Sequence, residues 1–188
     1  MSTLKVDTIL KRTGTGTITL GQSGDTISIP SGATTDLSNS TVTLNSAMKM
    51  TPAFQANNPQ NGTVNNNTQV KLSFNTELFD TDSCYDTSTY NFTPTTAGKY
   101  FVYASCRWET STNTATRLDL QIYKNSSGVL SGRNNNTDYS VVACAGIVDM
   151  NGSSDTLSVY SYQNTGNNTA ITTSSVYTYF GAYQVIGA

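Results

Sequence analysis

Histidine is absent from the chain, and charge is scarce: Asp, Glu, Lys and Arg make up 12% of the 188 residues. That is about half the usual charged share. Without histidine the chain lacks the Ser-His-Asp and Cys-His nucleophile arrangements and the commonest metal ligand. Glutamate is confined to Glu77 and Glu109, whereas a glycan-cleaving site needs two carboxylates facing each other across a cleft. Glu77 lies near Asp80 and Asp82 in a loop-like stretch, and any Asp could contribute in three dimensions; the expectation is nevertheless no enzymatic activity and no cofactor. The 10 Lys and Arg residues are scattered along the chain, with Lys11-Arg12 adjacent, against 12 acidic ones, for a net charge of −2. No basic stripe exists for nucleic acid. Long hydrophobic runs are also missing. The opening MSTLKVDTILKRTG contains none of signal-peptide length, and no segment approaches a membrane span. The expectation is a protein that bypasses the general export route and is not inserted in a membrane.

Thr, Ser and Asn occupy the place of the missing charge. Such a composition does not indicate disorder, which combines high net charge with few aromatics; here there are 11 Tyr and 6 Phe. Thr, Tyr, Val and Ile favour strands, and no segment has sustained helical periodicity. The chain reads as all-β. Its three cysteines, Cys84, Cys106 and Cys144, lack metal-type spacing, and two of them fall inside apparent strands. Free thiols packed as small hydrophobes are one reading; a disulfide, which needs an oxidising compartment, is the other.

Aromatic residues are missing altogether before Thr51, which divides the chain into residues 1–50 and 51–188. The first part cannot build a core alone. It holds three short alternating units, TITLG from Thr17, TISIP from Thr26 and TVTLN from Thr41, bounded by Gly, Asp, Pro or Asn. Each predicts a strand with aliphatics on one face. That face needs a partner: copies of the chain intertwined as a trimer, or another protein. A flexible linker is the remaining alternative.

The second part contains longer strands. Between Lys99 and Trp108, Tyr100, Val102, Ala104, Cys106 and Trp108 share one face, while Phe101 and Tyr103 stand on the other. Leu118, Leu120 and Ile122 alternate with Arg117, Asp119 and Gln121, as in a half-buried strand. YSVVACAGIVDM (139–150) and the last strand, Val176 to Ile186, are apolar on both faces. Strands at this spacing predict a β-sandwich or jelly roll. Three strands apolar on both faces exceed what one small sandwich covers. An oligomer is therefore expected, with the final strand at its centre.

The ordered pieces in this part resemble the complement C-one-q and tumour necrosis factor jelly-roll family. Tyr85-Asp86, Tyr90-Asn91-Phe92-Thr93-Pro94 and Ala97-Gly98-Lys99-Tyr100-Phe101-Val102 carry the resemblance most strongly. Phe54-Gln55-Ala56 precedes them and LQIYKN (120–125) follows. Val148-Asp149-Met150-Asn151-Gly152 with Asp155-Thr156-Leu157-Ser158-Val159, and finally Phe180-Gly181-Ala182-Tyr183, complete the series. One departure is Ser154-Asp155 where the family has Gly-Asp. The resemblance spans about residues 52–188 and implies a jelly roll of about ten strands that assembles as a homotrimer. Tyr100, Phe101, Tyr103, Phe180 and Tyr183 would form its core and trimer contacts. The opening MSTLKVDTI, with GTITLG and SGDTISIPSGA, is similar to the start of fibre-type virion proteins of marine bacteriophages. That similarity implies a particle protein made in the host cytoplasm, with Leu4, Val6, Ile9, Ile18 and Leu20 in a segment that docks on another virion protein.

Three candidate sites remain. Asp80, Asp82 and Asp86 place hard oxygen ligands in a turn-rich stretch, a weak calcium signature that fails the EF-hand pattern. SGRNNNTDY, with Arg133, Asn134, Asn135, Asn136, Asp138 and Tyr139, and QNTGNNT, with Asn164, Asn167 and Asn168, are polar inter-strand loops. Tyr, Asn, Thr and Ser suit carbohydrate recognition, and such loops often carry binding residues; solvated turns are the alternative. The expected function is a trimeric fibre or spike whose head binds a host-surface glycan or protein. A capsid decoration protein is the second reading, and a glycan-degrading enzyme a distant third.

Overall fold

Strands form wherever the alternation of apolar and polar residues is sustained and a partner strand is within reach. The computed structural model describes residues 19–44, 48–60, 62–109, 117–135 and 140–187. The chain separates into two units, Met1–Thr43 and Leu44–Ala188. The second unit holds the strands: β1 (Ala53–Pro59), β2 (Thr63–Val64), β3 (Val70–Lys71), β4 (Phe74–Asp80), β5 (Tyr85–Asp86), β6 (Asn91–Phe92) and β7 (Gly98–Arg107). They continue with β8 (Leu118–Lys124), β9 (Ser127–Asn134), β10 (Val141–Met150), β11 (Leu157–Gln163), β12 (Thr169–Ala170) and β13 (Tyr179–Gln184). One sheet runs β10-β7-β13-β1-β4, and the other runs β5-β6-β11-β8-β9 with β3 also on β11. Pairing is antiparallel throughout both sheets. Sequence-distant β1 and β13 lie side by side, as a jelly roll requires.

The core lies between the sheets and follows the period of two. Tyr100, Val102, Ala104, Cys106 and Trp108 are all buried, as are Leu118, Leu120 and Ile122 opposite them. Phe54, Phe92 and Phe180 fill the centre. The last strand starts at Tyr179 rather than Val176: residues 175–177 form a turn, with Val176 exposed. Phe180 and Ala182 face the core while Tyr179 and Tyr183 face outward, the same alternation that the pattern from Val176 gives.

The Asn151 turn replaces the Gly-Asp of the resembled family by its own side chain. Asn151 Oδ1 accepts from the amides of Ser153, Ser154 and Asp155, each at 3.0 Å, and Asp155 Oδ2 accepts from the Asn151 amide at 2.9 Å. Gly152 sits there at φ +70°, where a Cβ would lie 2.2 Å from the Ala97 amide nitrogen. Any side chain meets both backbone strain and backbone atoms. Gly152→Ala is expected to cost about 1–3 kcal/mol, read as a lower urea midpoint with an unchanged slope.

Residues 19–43 of the first unit, and Leu44 after them, are exposed and contain no strand among the described residues. Three turns punctuate them: Asp25, Ala33 and Ser40 donate their amides to Gln22, Pro30 and Leu37 at 3.0, 3.1 and 3.0 Å. The sequence predicts strands for the alternating units around Thr26 and Thr41; among the described residues their backbone finds no partner strand. A period-2 pattern provides a face, whereas a ladder needs a second strand. Leu20, Ile27, Ile29, Val42 and Leu44 are all exposed as a result. Leu4, Val6, Ile9 and Ile18 lie outside the described residues.

Candidate functional site

Register places a set of aromatic side chains on the outer face of the β10-β7-β13-β1-β4 sheet. Ile147, Phe101, Tyr183 and Ala53 lie in one row, and Ala145, Tyr103, Gly181, Gln55 and Phe79 in the next. Phe101 lies 5.4 Å from Tyr183 and 6.1 Å from Tyr103, and Tyr103 lies 6.1 Å from Tyr179. Gly181 makes room for this cluster: a Cβ there would lie 2.4 Å from the Tyr103 ring. Tyr103 then reaches across the strand to donate its hydroxyl to Gln55 Oε1 at 2.9 Å. Ile147 at 52% and Phe79 at 44% exposure border the aromatics. Of the residues expected in core and trimer contacts, Tyr100 and Phe180 are therefore core, while Phe101, Tyr103 and Tyr183 are on this outer face.

The other sheet departs from the half-buried strand read for Leu118–Ile122. Asp119, on the polar face, is fully buried, because two guanidiniums close over it. Arg133 Nε donates to Asp119 Oδ1 at 2.7 Å, and Arg117 Nε to Oδ2 at 2.7 Å. Burial raises the Asp119 pKa, but hydrogen bonds from Arg133 and Arg117 outweigh it, so the carboxyl lies below its ordinary range. Alternation alone could not show this, since Arg133 comes from the neighbouring strand.

Asp155 is lowered by its bonds from Lys124 and Asn125, and Asp86 is lowered to about 2 by bonds from Ser88 and Thr89. In all three the fold favours the charged form, so the unfolded chain binds more protons as pH falls. Stability from these groups is complete above the ordinary carboxylate value of 3.8 and is lost as pH drops through the folded values. Urea midpoints measured at successive pH values are expected to stay level down to about pH 4 and to fall steeply below it.

Asp80, Asp82 and Asp86 are not gathered around a cation position. Asp80 Oδ2 accepts from the Tyr85 amide at 2.8 Å, Asp82 Oδ2 accepts from the Thr81 hydroxyl at 2.7 Å, and Asp86 accepts from the Ser88 amide at 2.8 Å. Each carboxylate closes its own turn. Among the described residues no cluster of His, Cys, Asp and Glu is placed to hold a metal.

In the loop after β11 the amides are spent internally. Buried Gln163 donates from Nε2 to the carbonyls of Val64 and Asn167 at 2.9 and 2.8 Å. Asn168 Oδ1 accepts from the Asn66 amide at 3.0 Å, and the Asn164 amide donates to the Arg117 carbonyl at 3.2 Å. Asn167 and Asn168 thus pin the loop to the β2 side of the head. Arg133 and Asn134 end β9 and Asn135 follows, exposed; Asn136, Asp138 and Tyr139 lie outside the described residues.

No protein-family model and no curated protein sequence matches the chain. Solved structures do match in shape. The globular domain of zebrafish complement 1qA protein superposes with a TM-score of 0.51 at 18% identity, over 71% of this chain and 97% of its own. Murine APRIL, crystallised at pH 5.0, gives a TM-score of 0.55 at 10% identity, over 71% of this chain and 98% of its own. The fold is the complement C-one-q and tumour necrosis factor jelly roll. Within this jelly roll all three cysteines are free thiols, Cys84 and Cys106 buried and Cys144 half-buried. Burial pushes the Cys144 thiol up to about 11, so none of the strand thiols is a poised nucleophile.

Proposed function

We propose that the chain is a bacteriophage particle protein, a homotrimeric fibre or spike. Its jelly-roll head points outward to bind the host surface, and residues 1–50 seat it on another virion protein. The observation that carries this reading is the aromatic outer face of the β10-β7-β13-β1-β4 sheet, over which no further strand is laid among the described residues. Single exposed apolar residues are ordinary, but a contiguous aromatic face signals a partner surface. Three copies arranged about an axis would each bury that face against the others. The exposed aliphatics Leu20, Ile27 and Ile29 support a second contact, since a particle protein needs a seat. The similarity of the opening residues to phage fibre proteins supports the particle.

Light scattering on the purified chain is expected to give three chain masses; a stable monomer overturns the trimer. Antibody labelling is expected to place the protein on phage particles, and its absence from particles overturns the virion role. Label confined to the capsid, with no binding to host cells, would assign a decoration protein instead.

A further inference from the structure

The second sheet carries a surface of different chemistry, uncovered among the described residues. Arg133, Asp119 and Tyr162 form one row across β9, β8 and β11. Ser131, Gln121, Tyr160 and Lys71 form the next, across β9, β8, β11 and β3. Tyr123 packs against Tyr160 with ring centroids 4.5 Å apart. Gln69 Nε2 donates to Gln121 Oε1 at 2.6 Å and to the Tyr123 hydroxyl at 2.7 Å. The Arg117 guanidinium lies 4.6 Å over the Tyr162 ring, whose hydroxyl donates to Asn67 Oδ1 at 3.0 Å. These surface side chains are held by one another, so a ligand would not have to order them.

The charge of this face is unlike that of the rest of the head. Lys99–Asp149, Arg107–Glu109 and Lys124–Asp155 each match one cation with one carboxylate. Arg117 and Arg133 share a single carboxylate, Asp119, whose side chain is only 1% exposed while theirs are 41% and 53% exposed. Among the described residues a surplus cation therefore faces solvent here, on a chain of net charge −2. Asp119 engages Nε and one terminal nitrogen of each guanidinium. Among the described residues the third nitrogen of each is left to an outside acceptor, and planar guanidiniums match carboxylates best. Lys71 borders the patch, its ammonium on the Thr89 carbonyl and Asn91 Oδ1, with Asp86 as the acidic group facing it.

We propose that this face binds an acidic polysaccharide, with a uronate carboxylate on the Arg117–Arg133 pair and a neighbouring sugar ring over Tyr160. The described surface has no pocket, which disfavours a small enclosed ligand and suits a polymer laid across the strands. One surplus cation is too little for a phosphate polymer, whose binding scales with the number of neutralised charges. The inference rests on the host-binding half of the reading above and not on the trimer, since the two faces belong to opposite sheets.

Calorimetry with a short oligogalacturonate counts binding per chain and so separates the site from avidity. Binding is expected for the oligogalacturonate and absent for a neutral dextran oligomer, with poly-L-glutamate at least about tenfold weaker. Arg133→Gln and Tyr160→Ser are each expected to weaken binding by about tenfold or more. Tyr160→Ser leaves Asp119 fully paired, and its thermal midpoint shows whether the fold is intact. No oligogalacturonate binding, equal binding of poly-L-glutamate or dextran, or an unaffected folded Tyr160→Ser variant each overturns the proposal. If the oligogalacturonate binds but the protein fails to bind host cells, the site stands and the host-binding function falls.

Discussion

Phe54→Ala is expected to destabilise the head by about 3–5 kcal/mol, the upper range for a buried ring. Phe54 is fully buried in β1 and joins the two sheets through its ring. It stacks on Tyr85 at 4.7 Å and Phe92 at 4.5 Å, both from the second sheet, and meets Phe180 edge-on at 4.9 Å. The hole left by alanine cannot close by a small shift, because its walls are pinned. Tyr85 is held by its hydroxyl bond to the Phe74 carbonyl at 2.8 Å, and Phe180 is held within the central strand of its sheet. Aromatic pairing adds about 0.5–1.5 kcal/mol per contact beyond area, so Phe54→Leu should lose about 1–2 kcal/mol while keeping most of the volume. The single tryptophan, Trp108, is fully buried, which makes its fluorescence a reporter for urea unfolding at fixed protein concentration. A loss below about 1 kcal/mol for Phe54→Ala would show that this hub does not tie the sheets together.

Phe101→Asp combined with Tyr183→Asp is expected to convert the proposed trimer into folded monomers. The two residues are direct cross-strand neighbours on the outer aromatic face, and neither contributes to the buried core. In a lone chain the pair of aspartates costs only about 0.2–1 kcal/mol of like-charge repulsion. Buried between copies, each unpaired carboxylate costs several kcal/mol, multiplied over three equivalent contacts. The measured mass should fall from three chains to one while the circular dichroism and the tryptophan emission stay native. Gln121→Asp on the opposite sheet is expected to leave the mass unchanged. An unaltered mass for the double variant would mean that this face is not the interface, whatever the oligomeric state.

Alternation made much of the head legible. Lys99 to Trp108 placed Tyr100, Val102, Ala104, Cys106 and Trp108 on one face and Phe101 and Tyr103 on the other, as found in β7. That worked because a long strand with a buried face fixes its own phase. The last strand was harder to bound: Val176 and Tyr177 extend its apolar pattern but belong to the preceding turn, while Phe180 and Ala182 alternate against Tyr179 and Tyr183 as the pattern has it. The polar loops misled for a different reason. Asn and Thr serve equally for ligands and for internal bonds; Asn168 Oδ1 accepts from the distant Asn66 amide, and Asn167 offers its backbone carbonyl to Gln163. The same ambiguity applies to Asp80, Asp82 and Asp86, whose oxygens close local turns.

By itself the sequence determined the all-β class, the inner face of β7 and the shortage of catalytic groups. These are local properties, set by side-chain chemistry and a period of two. Only the tertiary structure decided which faces meet. Asp119 became a buried anion because β9 brings Arg133 beside it, and Tyr160 joined Gln121 and Lys71 because β11 lies between β8 and β3. Residues 19–44 carry strand patterns yet form no strand, since pairing needs a neighbour and none lies beside them among the described residues. Periodicity says which residues share a face, and long-range pairing says what that face touches.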